Sequence, residues 1–515
     1  MTGLINANET SPKLQHPGRL FIGGRWVEPN TAATFDVVNP ATEEVFLTVA
    51  EADAQDMAQA VDAARDAFDR GPWPRMPHAE RATYLRAIGA GIRERSAELG
   101  AIWTSEMGIL AAVSSYASAG SGDVFDYYAG LADTYEWVEE HRPSSGQGVG
   151  LLVREPVGVV AAIIPWNSPL GLLANKVAPA LLAGCTVVVK ASPEAPGAVY
   201  AFAEIAEAAG LPAGVVNVVT ADREVSELLV RNPGIDKVAF TGSTAAGRRI
   251  ASLCGERIAR CTLELGGKSA GVILDDYDLA TAAQSIATSA RIMTGQVCAS
   301  LTRIVVSRHR HDEFVDALGA AMSAIRVGDP FNAETEMGPL AMSRQLEKVE
   351  GLIAKGCEEG ATLVTGGRRP AHLERGFFIE PTVFGNVDND STIAREEVFG
   401  PVVSVIAADD ENHAVDIAND TVYGLNASVF TDDIERAWTV SRQLRSGTVG
   451  HNSFKTDFGI AFGGFKQSGM GREGGLEGLQ PYLEAKDRPA RRDAAEPDLT
   501  RPWWRATESC ATTAP

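Results

Sequence analysis

A carboxylate and a thiol, each framed by glycines, carry the first chemical signal in this sequence. Glu264 begins the segment Glu-Leu-Gly-Gly-Lys-Ser, and Cys298 ends the segment Gly-Gln-Val-Cys. A cysteine attacks carbon as its thiolate, and a half-buried carboxylate with a pKa near neutral can take a proton from water. Gly295, with a helix-compatible run after a tight loop, predicts that backbone N–H groups favour the thiolate of Cys298. Together the two residues supply the groups for covalent chemistry on a carbonyl, followed by attack of water.

The size and charge of the chain limit the classes of function. The chain has 515 residues, more than one ordinary hydrophobic core accommodates, so two or three domains are expected. Its formal net charge of −21 argues against binding to nucleic acid, which requires a basic surface. Residues 1–20 lack the apolar core of a signal peptide, and the most apolar stretch, 171–189, is interrupted by polar residues and a proline. We therefore expect no nucleic-acid partner and no membrane partner.

Cysteine and histidine spacing bears on metals and on the compartment. The six cysteines form no Cys-x-x-Cys pair, and the eight histidines show neither His-x-x-x-His nor His-Glu-x-x-His spacing. This pattern favours reduced thiols over a disulfide framework and predicts no metal site. Reduced thiols are typical of the cytoplasm, which is the expected localisation.

Short apolar runs alternate with helical patterns in the middle of the chain. Four of the runs are typical of buried strands, at 159–164, 186–189, 215–219 and 237–240. Buried strands separated by helices predict a parallel sheet with both faces covered. Asn167, Lys190 and the segment 241–243 follow three of these strands. Because ligands of such sheets bind at the carboxyl ends of the strands, these residues are candidates for a binding site.

The alternation of strand and helix resumes after Cys298. An apolar run at 303–306 is followed by a helical pattern that includes Phe314, Leu318 and Met322. A second α/β domain is therefore predicted, and the stretch that contains the carboxylate and the thiol lies at the junction of the two domains.

Six short motifs occur together along the chain. They are Pro165-Trp166-Asn167, Phe240-Thr241-Gly242-Ser243-Thr244, Glu264-Leu265-Gly266-Gly267-Lys268, Gly295-Gln296-Val297-Cys298, Glu396-Glu397-Val398-Phe399-Gly400-Pro401 and Gly463-Gly464-Phe465-Lys466-Gln467-Ser468-Gly469. Their order and spacing resemble those of the NAD(P)-dependent aldehyde dehydrogenases from about Phe21 to Lys486. The resemblance implies an enzyme that oxidises an aldehyde to a carboxylic acid with NAD(P)+.

The resemblance also implies catalytic roles. Cys298 is expected to attack the aldehyde carbon and form a thiohemiacetal, whose oxyanion accepts hydrogen bonds from the Asn167 side chain and the Cys298 backbone. After hydride transfer to nicotinamide, Glu264 is expected to activate the water that hydrolyses the thioester. Lys176 and Glu473 match positions that organise this site or relay protons.

Further positions match cofactor-binding residues of the family. Lys190 is expected near the adenosine ribose, Gly242 and Ser243 near the pyrophosphate at a helix start, and Glu397 at the nicotinamide ribose beside Phe399. The full set is Ile164, Pro165, Trp166, Lys190, Glu194, Gly242, Ser243, Gly247, Leu265, Gly266, Glu397 and Phe399.

The choice between NAD+ and NADP+ depends on a departure from the family pattern. Many relatives that prefer NAD+ have a glutamate three residues after the lysine matched by Lys190, where it pairs with the ribose hydroxyls and repels a 2′-phosphate. Here Pro193 occupies that place and Glu194 follows it. No arginine nearby in the sequence offers a contact for a phosphate, so NAD is the expected cofactor and NADP is left open.

The fold implied by the resemblance is α/β, aldehyde dehydrogenase-like, with two Rossmann-like parallel-sheet domains and a small β oligomerisation element. The predicted parts are a discontinuous cofactor-binding domain at 1–136 and 157–266, a catalytic domain at 267–467, oligomerisation or bridging elements at 137–156 and 468–490, and a flexible tail at 491–515. The expected assembly is a homodimer or homotetramer, and the expected partner is a small-molecule aldehyde.

Two other activities stay open on the sequence alone. Relatives that acylate coenzyme A commonly lack the glutamate matched by Glu264, so its presence favours hydrolysis to the acid. A cofactor-independent thiol esterase would need a histidine such as His451 beside Cys298. Residues 291–294 depart from the family pattern, so the sequence does not define the aldehyde.

Overall fold

A computed structural model describes residues 14–144 and 148–490 of the chain. The predicted tail at 491–515, the beginning of the predicted cofactor-binding domain and part of the loop within 137–156 lie outside the described residues. Among the described helices, none is both long enough and apolar enough to cross a membrane.

Strands and helices alternate along most of the described chain. The strands are β1 Leu20–Ile22, β2 Arg25–Val27, β3 Thr34–Asn39, β4 Glu44–Ala50, β5 Val138–His141, β6 Val149–Pro156, β7 Val159–Ile163, β8 Thr186–Ala191, β9 Val216–Thr220, β10 Lys237–Thr241, β11 Arg260–Glu264, β12 Ser269–Ile273, β13 Leu301–Ser307, β14 Thr362–Thr365, β15 Thr382–Gly385, β16 Val402–Ala408, β17 Asn426–Phe430, β18 Thr448–His451, β19 Gly469–Met470 and β20 Leu483–Ala490. The helices are α1 Ala54–Asp69, α2 His78–Glu94, α3 Ser96–Met107, α4 Ala111–Gly130, α5 Pro169–Ala183, α6 Gly197–Ala208, α7 Arg223–Arg231, α8 Thr244–Arg257, α9 Leu279–Ala290, α10 His311–Ser323, α11 Ser343–Glu358, α12 Thr392–Arg395, α13 Glu411–Asn419 and α14 Ile434–Ser441.

The first large sheet has the strand order β19-β11-β10-β7-β8-β9-β1-β2. Its central strands, from β11 to β9, are parallel, and the outer strands are antiparallel to their neighbours. Alternate residues of β7 enter two hydrophobic clusters, Val160 and Ala162 on one face and Val159 and Ala161 on the other. Both faces of the sheet are therefore covered, and the predicted parallel sheet is confirmed.

The second large sheet has the strand order β14-β15-β16-β13-β12-β17-β18 and is parallel except for β14. The chain crosses from the first sheet to the second between Glu264, which ends β11, and Ser269, which begins β12. Cys298 precedes β13 of the second sheet. The carboxylate and the thiol therefore both lie where the two sheets meet, and the predicted α/β class with two such sheets is confirmed.

Two small antiparallel sheets complete the fold. One has the order β20-β6-β5, and the other pairs β3 with β4. The stretch 468–490 is divided, because β19 joins the edge of the first large sheet while β20 pairs with β6. The domain boundaries given above stay a prediction.

Candidate active site

Glu264 is held in place by hydrogen bonds on both sides of its strand. Thr241 of β10 is its partner on one side, and β19 pairs on the other. Beyond the strand, the hydroxyl of Ser468 donates to the carbonyl oxygen of Gly266 at 2.7 Å, and the N–H of Leu265 donates to the carbonyl oxygen of Ser468 at 2.9 Å. These contacts fix the backbone that orients the Glu264 carboxylate.

The carboxylate of Glu264 is buried, and among the described residues neither of its oxygen atoms has a hydrogen-bond partner. A Cβ atom on Gly463 would lie 2.6 Å from Oε1 of Glu264, so the glycine leaves the space that this carboxylate needs. Burial raises the pKa of Glu264 well above its ordinary value, and the negative charge of Glu473 raises it further. A carboxylate with a raised pKa is a stronger base, which is what removal of a proton from water requires.

A buried ion pair adjoins Glu264. The Nζ of Lys176 lies 2.6 Å from Oε1 of Glu473 and 2.5 Å from the hydroxyl oxygen of Thr241. Lys176 comes from α5, and two backbone hydrogen bonds with Phe462 hold Glu473 in position. The charge of Lys176 lowers the pKa of Glu264 while that of Glu473 raises it, so the three groups form one electrostatic unit.

Cys298 lies in a turn between the short 3₁₀ segment Ile292–Gly295 and β13. The prediction of a helix-compatible run at this point is wrong, because the chain after the turn continues directly into a strand. Met293 and Thr294 have φ angles of +49° and +56°, a left-handed conformation that is strained for non-glycine residues and most of all for a β-branched one. A hydrogen bond of 3.0 Å from the Thr294 hydroxyl to the carbonyl oxygen of Gly338 helps to hold this loop.

The thiol loop and the carboxylate segment meet at Gly267. A Cβ atom there would lie 2.4 Å from the carbonyl oxygen of Cys298, so a side chain would push the two apart. Gly295 has a φ angle of +69°, and a Cβ atom on it would lie 2.2 Å from the carbonyl oxygen of Gly400. The motif glycines therefore permit close packing of three segments that are distant in the sequence.

The thiol of Cys298 is half-buried, and its pKa is raised to about 12. Burial is the largest cause, followed by the negative charges of Glu397 and Glu264, which disfavour the thiolate. The backbone N–H groups of Cys298 and Ala299 lower the pKa, as predicted, but their effect is smaller. The predicted effect of these N–H groups is therefore present, but burial and the two carboxylates outweigh it.

Asn167 connects the thiol loop to the end of β7. Its side-chain amide donates a hydrogen bond of 3.1 Å to the carbonyl oxygen of Gln296, close to Cys298 in the chain. Its own carbonyl oxygen accepts a hydrogen bond of 2.9 Å from the indole N–H of Trp103. An amide nitrogen carries two N–H groups, so Asn167 has a second donor for an oxyanion.

Apolar side chains pack around the thiol. Phe458 and Phe462 stack with ring centroids 4.2 Å apart. The cluster consists of Val297, Cys298, Ala299, Leu425, Phe454, Phe458 and Phe462. A second apolar cluster includes Trp103, Trp166 and Met293, the last from the loop that leads to Cys298. The surroundings of Cys298 therefore favour an apolar substrate group.

The end of β8 carries a cluster of charges. Lys190 is buried there, and burial lowers its pKa to about 8. The carboxylate of Glu194 accepts hydrogen bonds from the hydroxyl of Ser192 and from the guanidinium of Arg344. No arginine is near in the sequence, as stated above, but Arg344, at the start of α11, reaches this position from 150 residues further along the chain.

The N-terminus of α8 lies beside the Glu264 strand. Ser243 is the N-cap and accepts a backbone hydrogen bond of 3.3 Å, and the N–H of Gly242 donates to the carbonyl oxygen of Glu264 at 3.0 Å. A Cβ atom on Gly247 would lie 2.4 Å from the side chain of Leu265, so the glycine lets the helix pack closely. This helix start is suited to bind an anion such as a pyrophosphate.

Glu397 lies against the segment that follows Glu264. Its Oε1 accepts a hydrogen bond of 3.1 Å from the N–H of Gly267, and burial raises its pKa. Phe399 has a φ angle of +59°, and its ring contacts that of Trp166 edge to face, with centroids 5.4 Å apart.

The start of the 165–167 motif borders the same region. The N–H of Ile164 donates a hydrogen bond of 3.0 Å to the carbonyl oxygen of Lys190, which joins the ends of β7 and β8. Ile164 is buried, whereas Pro165 is partly exposed. The predicted catalytic and cofactor residues thus come from the strand ends of the first sheet and from the segments that face them.

Comparison with known protein families covers nearly the whole chain. The sequence model of the aldehyde dehydrogenase family matches residues 26–487. The chain belongs to the aldehyde dehydrogenase family. Its predicted resemblance and enzyme class, an NAD(P)-dependent oxidoreductase acting on an aldehyde, are confirmed.

Curated members of the aldehyde dehydrogenase family are similar over their full length. The geranial dehydrogenase of Castellaniella defragrans is 44% identical over 468 residues, which covers 91% of this chain and 97% of that protein. The 3-succinoylsemialdehyde-pyridine dehydrogenase of a Pseudomonas species is 41% identical over 471 residues, with 90% and 97% coverage.

Solved structures of aldehyde dehydrogenases share the fold. An aldehyde dehydrogenase of Mycobacterium tuberculosis complexed with NAD+ has a TM-score of 0.90 and 45% identity, and the match covers 93% of this chain and 99% of that one. A mutant aldehyde dehydrogenase C of Pseudomonas syringae, in complex with NAD+ and octanal, has a TM-score of 0.88 and 38% identity, with 93% and 98% coverage.

Several positioning residues of this aldehyde dehydrogenase were missed from the sequence. Gln296 is fully buried and accepts a hydrogen bond of 2.9 Å from the N–H of Ala341. Gln345 donates to the carbonyl oxygen of Phe399 at 2.8 Å, and Lys348 donates to that of Glu397 at 2.8 Å. Gln296 and Ser468 belong to motifs that the sequence analysis recognised. Gln345 and Lys348 belong to α11, where no sequence motif marks them as part of the site.

The cofactor-independent esterase gains no support from the geometry. The Nε2 of His451 lies 2.9 Å from the carbonyl oxygen of Thr431, and the charged groups that raise the pKa of Cys298 are carboxylates. The cofactor-independent esterase therefore has no identified base. Within the described residues, no group of three or more His, Cys, Asp or Glu side chains is placed to hold a metal ion.

Proposed function

We propose that this protein oxidises an apolar aldehyde to its carboxylic acid, with NAD+ as the hydride acceptor. The convergence of Cys298, Asn167 and Glu264 carries the proposal, since the thiol loop is hydrogen-bonded to Asn167 and the Glu264 charge acts on the sulfur. The choice of NAD+ is supported by the relatives from Mycobacterium tuberculosis and Pseudomonas syringae, whose solved structures contain it.

The first half of the reaction takes place at the sulfur. Cys298 loses its proton to solvent, its thiolate forms a bond to the aldehyde carbon, and the carbonyl electron pair moves to oxygen. The Asn167 amide and the Cys298 backbone N–H donate to this oxyanion, and one such donor contributes about 3–4 kcal/mol to the transition state. Bound NAD+ accepts the hydride that leaves the carbon. The carbonyl then re-forms as a thioester of Cys298.

The second half requires a base for water. The Glu264 carboxylate takes a proton from water as the water oxygen bonds to the thioester carbon, and the carbon–sulfur bond breaks to release the acid. The pair of Lys176 and Glu473 lies next to Glu264 and is placed to pass the proton on. Because this base is present, hydrolysis is proposed in preference to acyl transfer to coenzyme A.

The substrate is proposed to be an aliphatic aldehyde without charged groups. Leu425, Phe458 and Phe462 pack with Cys298, and the Glu264 and Glu397 carboxylates nearby repel an anionic semialdehyde. The relatives named for geranial and solved with octanal support this class.

A homodimer or homotetramer in the cytoplasm is proposed as the working form. The β20-β6-β5 sheet is built from the segments that resemble oligomerisation elements of the family. The cysteines among the described residues are free, which fits a reducing compartment. Light scattering that gives a monomer would contradict the assembly, and cell fractionation tests the compartment.

The function is tested by the absorbance of reduced nicotinamide with three aldehydes: a straight-chain aliphatic one, a quaternary-ammonium one and a semialdehyde carboxylate. We expect turnover to be fastest with the aliphatic aldehyde and absent in Cys298→Ala. Equal rates in the variant and the native protein would remove the covalent mechanism. Faster turnover of a charged aldehyde would contradict the substrate class alone.

A further inference from the structure

Two cysteines outside the site described above lie side by side where α8 packs on the first sheet. Cys254 belongs to the last turn of α8, and Cys261 belongs to β11. We infer that these two thiols form a redox-modification site, in which a hydroperoxide oxidises Cys261 and Cys254 then closes a reversible disulfide with it. Neither residue takes part in the proposed catalytic steps, so the inference does not depend on the proposed function.

The turn between α8 and β11 brings the two cysteines together. Ile258 ends the helix in the left-handed conformation, with a φ angle of +57°. The N–H of Ala259 donates a hydrogen bond of 2.9 Å to the carbonyl oxygen of Cys254, and the N–H of Ile258 donates one of 3.3 Å to that of Gly255. This pattern is a Schellman motif, which turns the chain sharply at the end of a helix. The chain therefore enters β11 beside the helical turn that carries Cys254.

The side chains of both cysteines point into the same hydrophobic cluster. Successive residues of a strand face opposite sides of a sheet, and Cys261 and Leu263 of β11 pack in the cluster that contains Leu253 and Cys254 of α8. Within this cluster the thiol of Cys254 donates a hydrogen bond to the sulfur of Cys261. The two sulfur atoms are therefore direct neighbours, with no other side chain between them.

The two thiols differ in reactivity. Cys254 is buried, whereas Cys261 is partly exposed, so an oxidant in solution reaches Cys261 first. The hydrogen bond from Cys254 lowers the pKa of Cys261 to about 7 against the opposing effect of burial, and the positive charge of Lys237 lowers it further. The same hydrogen bond and burial raise the pKa of Cys254, which therefore keeps its proton. Cys261 is thus the nucleophile, since a thiolate and not a thiol reacts.

The chemistry takes two steps and needs a hydroperoxide as the oxidant. The Cys261 thiolate attacks one oxygen of the peroxide, the O–O bond breaks, and hydroxide or alkoxide leaves while Cys261 becomes a sulfenic acid. The Cys254 sulfur then attacks the Cys261 sulfur, the S–O bond breaks, and the released hydroxide takes the Cys254 proton to form water. The two thiols lose two electrons in total, and the hydroperoxide gains them as it becomes water or an alcohol.

The second thiol is what makes the modification reversible. A sulfenic acid without a partner is oxidised further to irreversible products, whereas a disulfide is reduced again by thiols. Transient disulfides of this kind are the ones that a reducing compartment permits. The disulfide would join α8 to β11, the strand that ends at Glu264.

The test treats the full native chain with hydrogen peroxide at neutral pH and maps its cysteines by mass spectrometry. Trypsin separates the two cysteines into the peptides 250–257 and 261–268, because an arginine or a lysine precedes and ends each peptide. We expect the two peptides to become linked, the chain to stay monomeric on a non-reducing gel, and dithiothreitol to release the link. The matched control is Cys357→Ser, which removes an exposed thiol of α11 and should leave the link unchanged.

Variants of each cysteine distinguish the roles of the two thiols. In Cys254→Ala the sulfenic acid of Cys261 has no partner, so we expect dimedone to trap it and no linked peptide to form. At pH 6, alkylation of Cys261 by iodoacetamide should be about tenfold slower in this variant, which is the change in thiolate fraction that a rise of one pKa unit produces. In Cys261→Ala the buried Cys254 should stay reduced.

Three outcomes would overturn the inference. If Cys254 and Cys261 stay reduced in native protein whose exposed Cys357 is oxidised, the pair does not respond to the peroxide. If either cysteine becomes linked to a different cysteine, the two are not partners. Equal rates of Cys261 alkylation in native protein and in Cys254→Ala would show that Cys254 does not activate Cys261. All three results leave the proposed aldehyde oxidation untouched, because it is measured separately.

Discussion

The Nζ of Lys176 and Oε1 of Glu473 lie 2.6 Å apart although 297 residues separate them in the sequence, and both side chains are buried. Two charges taken out of water in this way depend on each other, since removing one leaves the other uncompensated. The pair also acts on Glu264, whose pKa is raised by Glu473 and lowered by Lys176. It therefore couples the packing of the site to the protonation of its base.

Loss of this buried pair should cost stability. In Lys176→Met the Glu473 carboxylate stays buried without its counter-charge, and we expect the free energy of unfolding to fall by about 3–5 kcal/mol in urea denaturation. Arg369→Ala removes the arginine of an exposed ion pair with Glu350. This variant should change the free energy of unfolding by less than about 1 kcal/mol. Equal changes in the two variants would contradict the account.

Glu264→Gln should stabilise the protein in a pH-dependent manner. Burial and the Glu473 charge raise the folded-state pKa, so between the ordinary value of 4.5 and the raised value the folded state keeps a proton that the unfolded chain has released. The native protein thus loses stability as the pH rises through this window, and the glutamine variant does not. We expect the variant to be more stable by about 1–3 kcal/mol well above the ordinary pKa.

Urea denaturation at a series of pH values checks this prediction. The difference between Glu264→Gln and the native protein should shrink toward zero as the pH falls through the ordinary carboxyl pKa, where both states hold the proton. If the difference in free energy of unfolding is the same at every pH, titration of the Glu264 carboxyl is not the cause of the stabilisation.

The same carboxylates should control the reactivity of the thiol. Glu397 and Glu264, when ionised, both raise the pKa of Cys298, so at a pH above the raised pKa values of these carboxyls Glu397→Gln and Glu264→Gln should each speed its alkylation by iodoacetamide, with Glu397→Gln the faster. A fall of one pKa unit increases the thiolate fraction about tenfold. The rate is measured by mass spectrometry of the Cys298 peptide, with the exposed pair variant Glu350→Gln as control. Unchanged rates in both active-site variants would refute this electrostatic origin.

Removal of the proposed oxyanion donor should affect turnover more than folding. We expect Asn167→Ala to lower kcat/KM about 100- to 1,000-fold. The control is Asn175→Ala, which also removes a buried amide that donates to a backbone carbonyl, at 2.9 Å to Gly171. Steady-state kinetics are measured for both variants. Comparable losses of kcat/KM in Asn167→Ala and Asn175→Ala would show that Asn167 acts only by packing.

Much of the first sheet was predictable because buried parallel strands are continuous apolar runs. The run at 186–189 lies within the observed strand Thr186–Ala191, and the predicted strand at 237–240 lies within Lys237–Thr241. Polar residues directly after such runs mark the strand ends, and ligands of these sheets bind there. Asn167 and Lys190 could be selected on that basis alone.

The parts that escaped prediction depend on contacts between distant segments. Arg344 contacts Glu194 from 150 residues further along the chain, and no local sequence pattern predicts this contact. The net pKa of Cys298 depends on Glu397, which comes from a later part of the chain. The run around the cysteine looked helical, but its neighbours place it in a turn before β13, because strand pairing in the second sheet overrides local propensity.

The central claim is that the aldehyde carbon becomes bonded to Cys298 and is released by water that Glu264 activates. It is tested most directly by mixing Glu264→Gln with NAD+ and a straight-chain aliphatic aldehyde, and following reduced nicotinamide together with the intact mass. The account predicts a rapid burst of about one equivalent of reduced nicotinamide per chain, then little turnover, with a stable acyl adduct on the Cys298 peptide. Continued turnover at the native rate, or a burst without an adduct on Cys298, would contradict it.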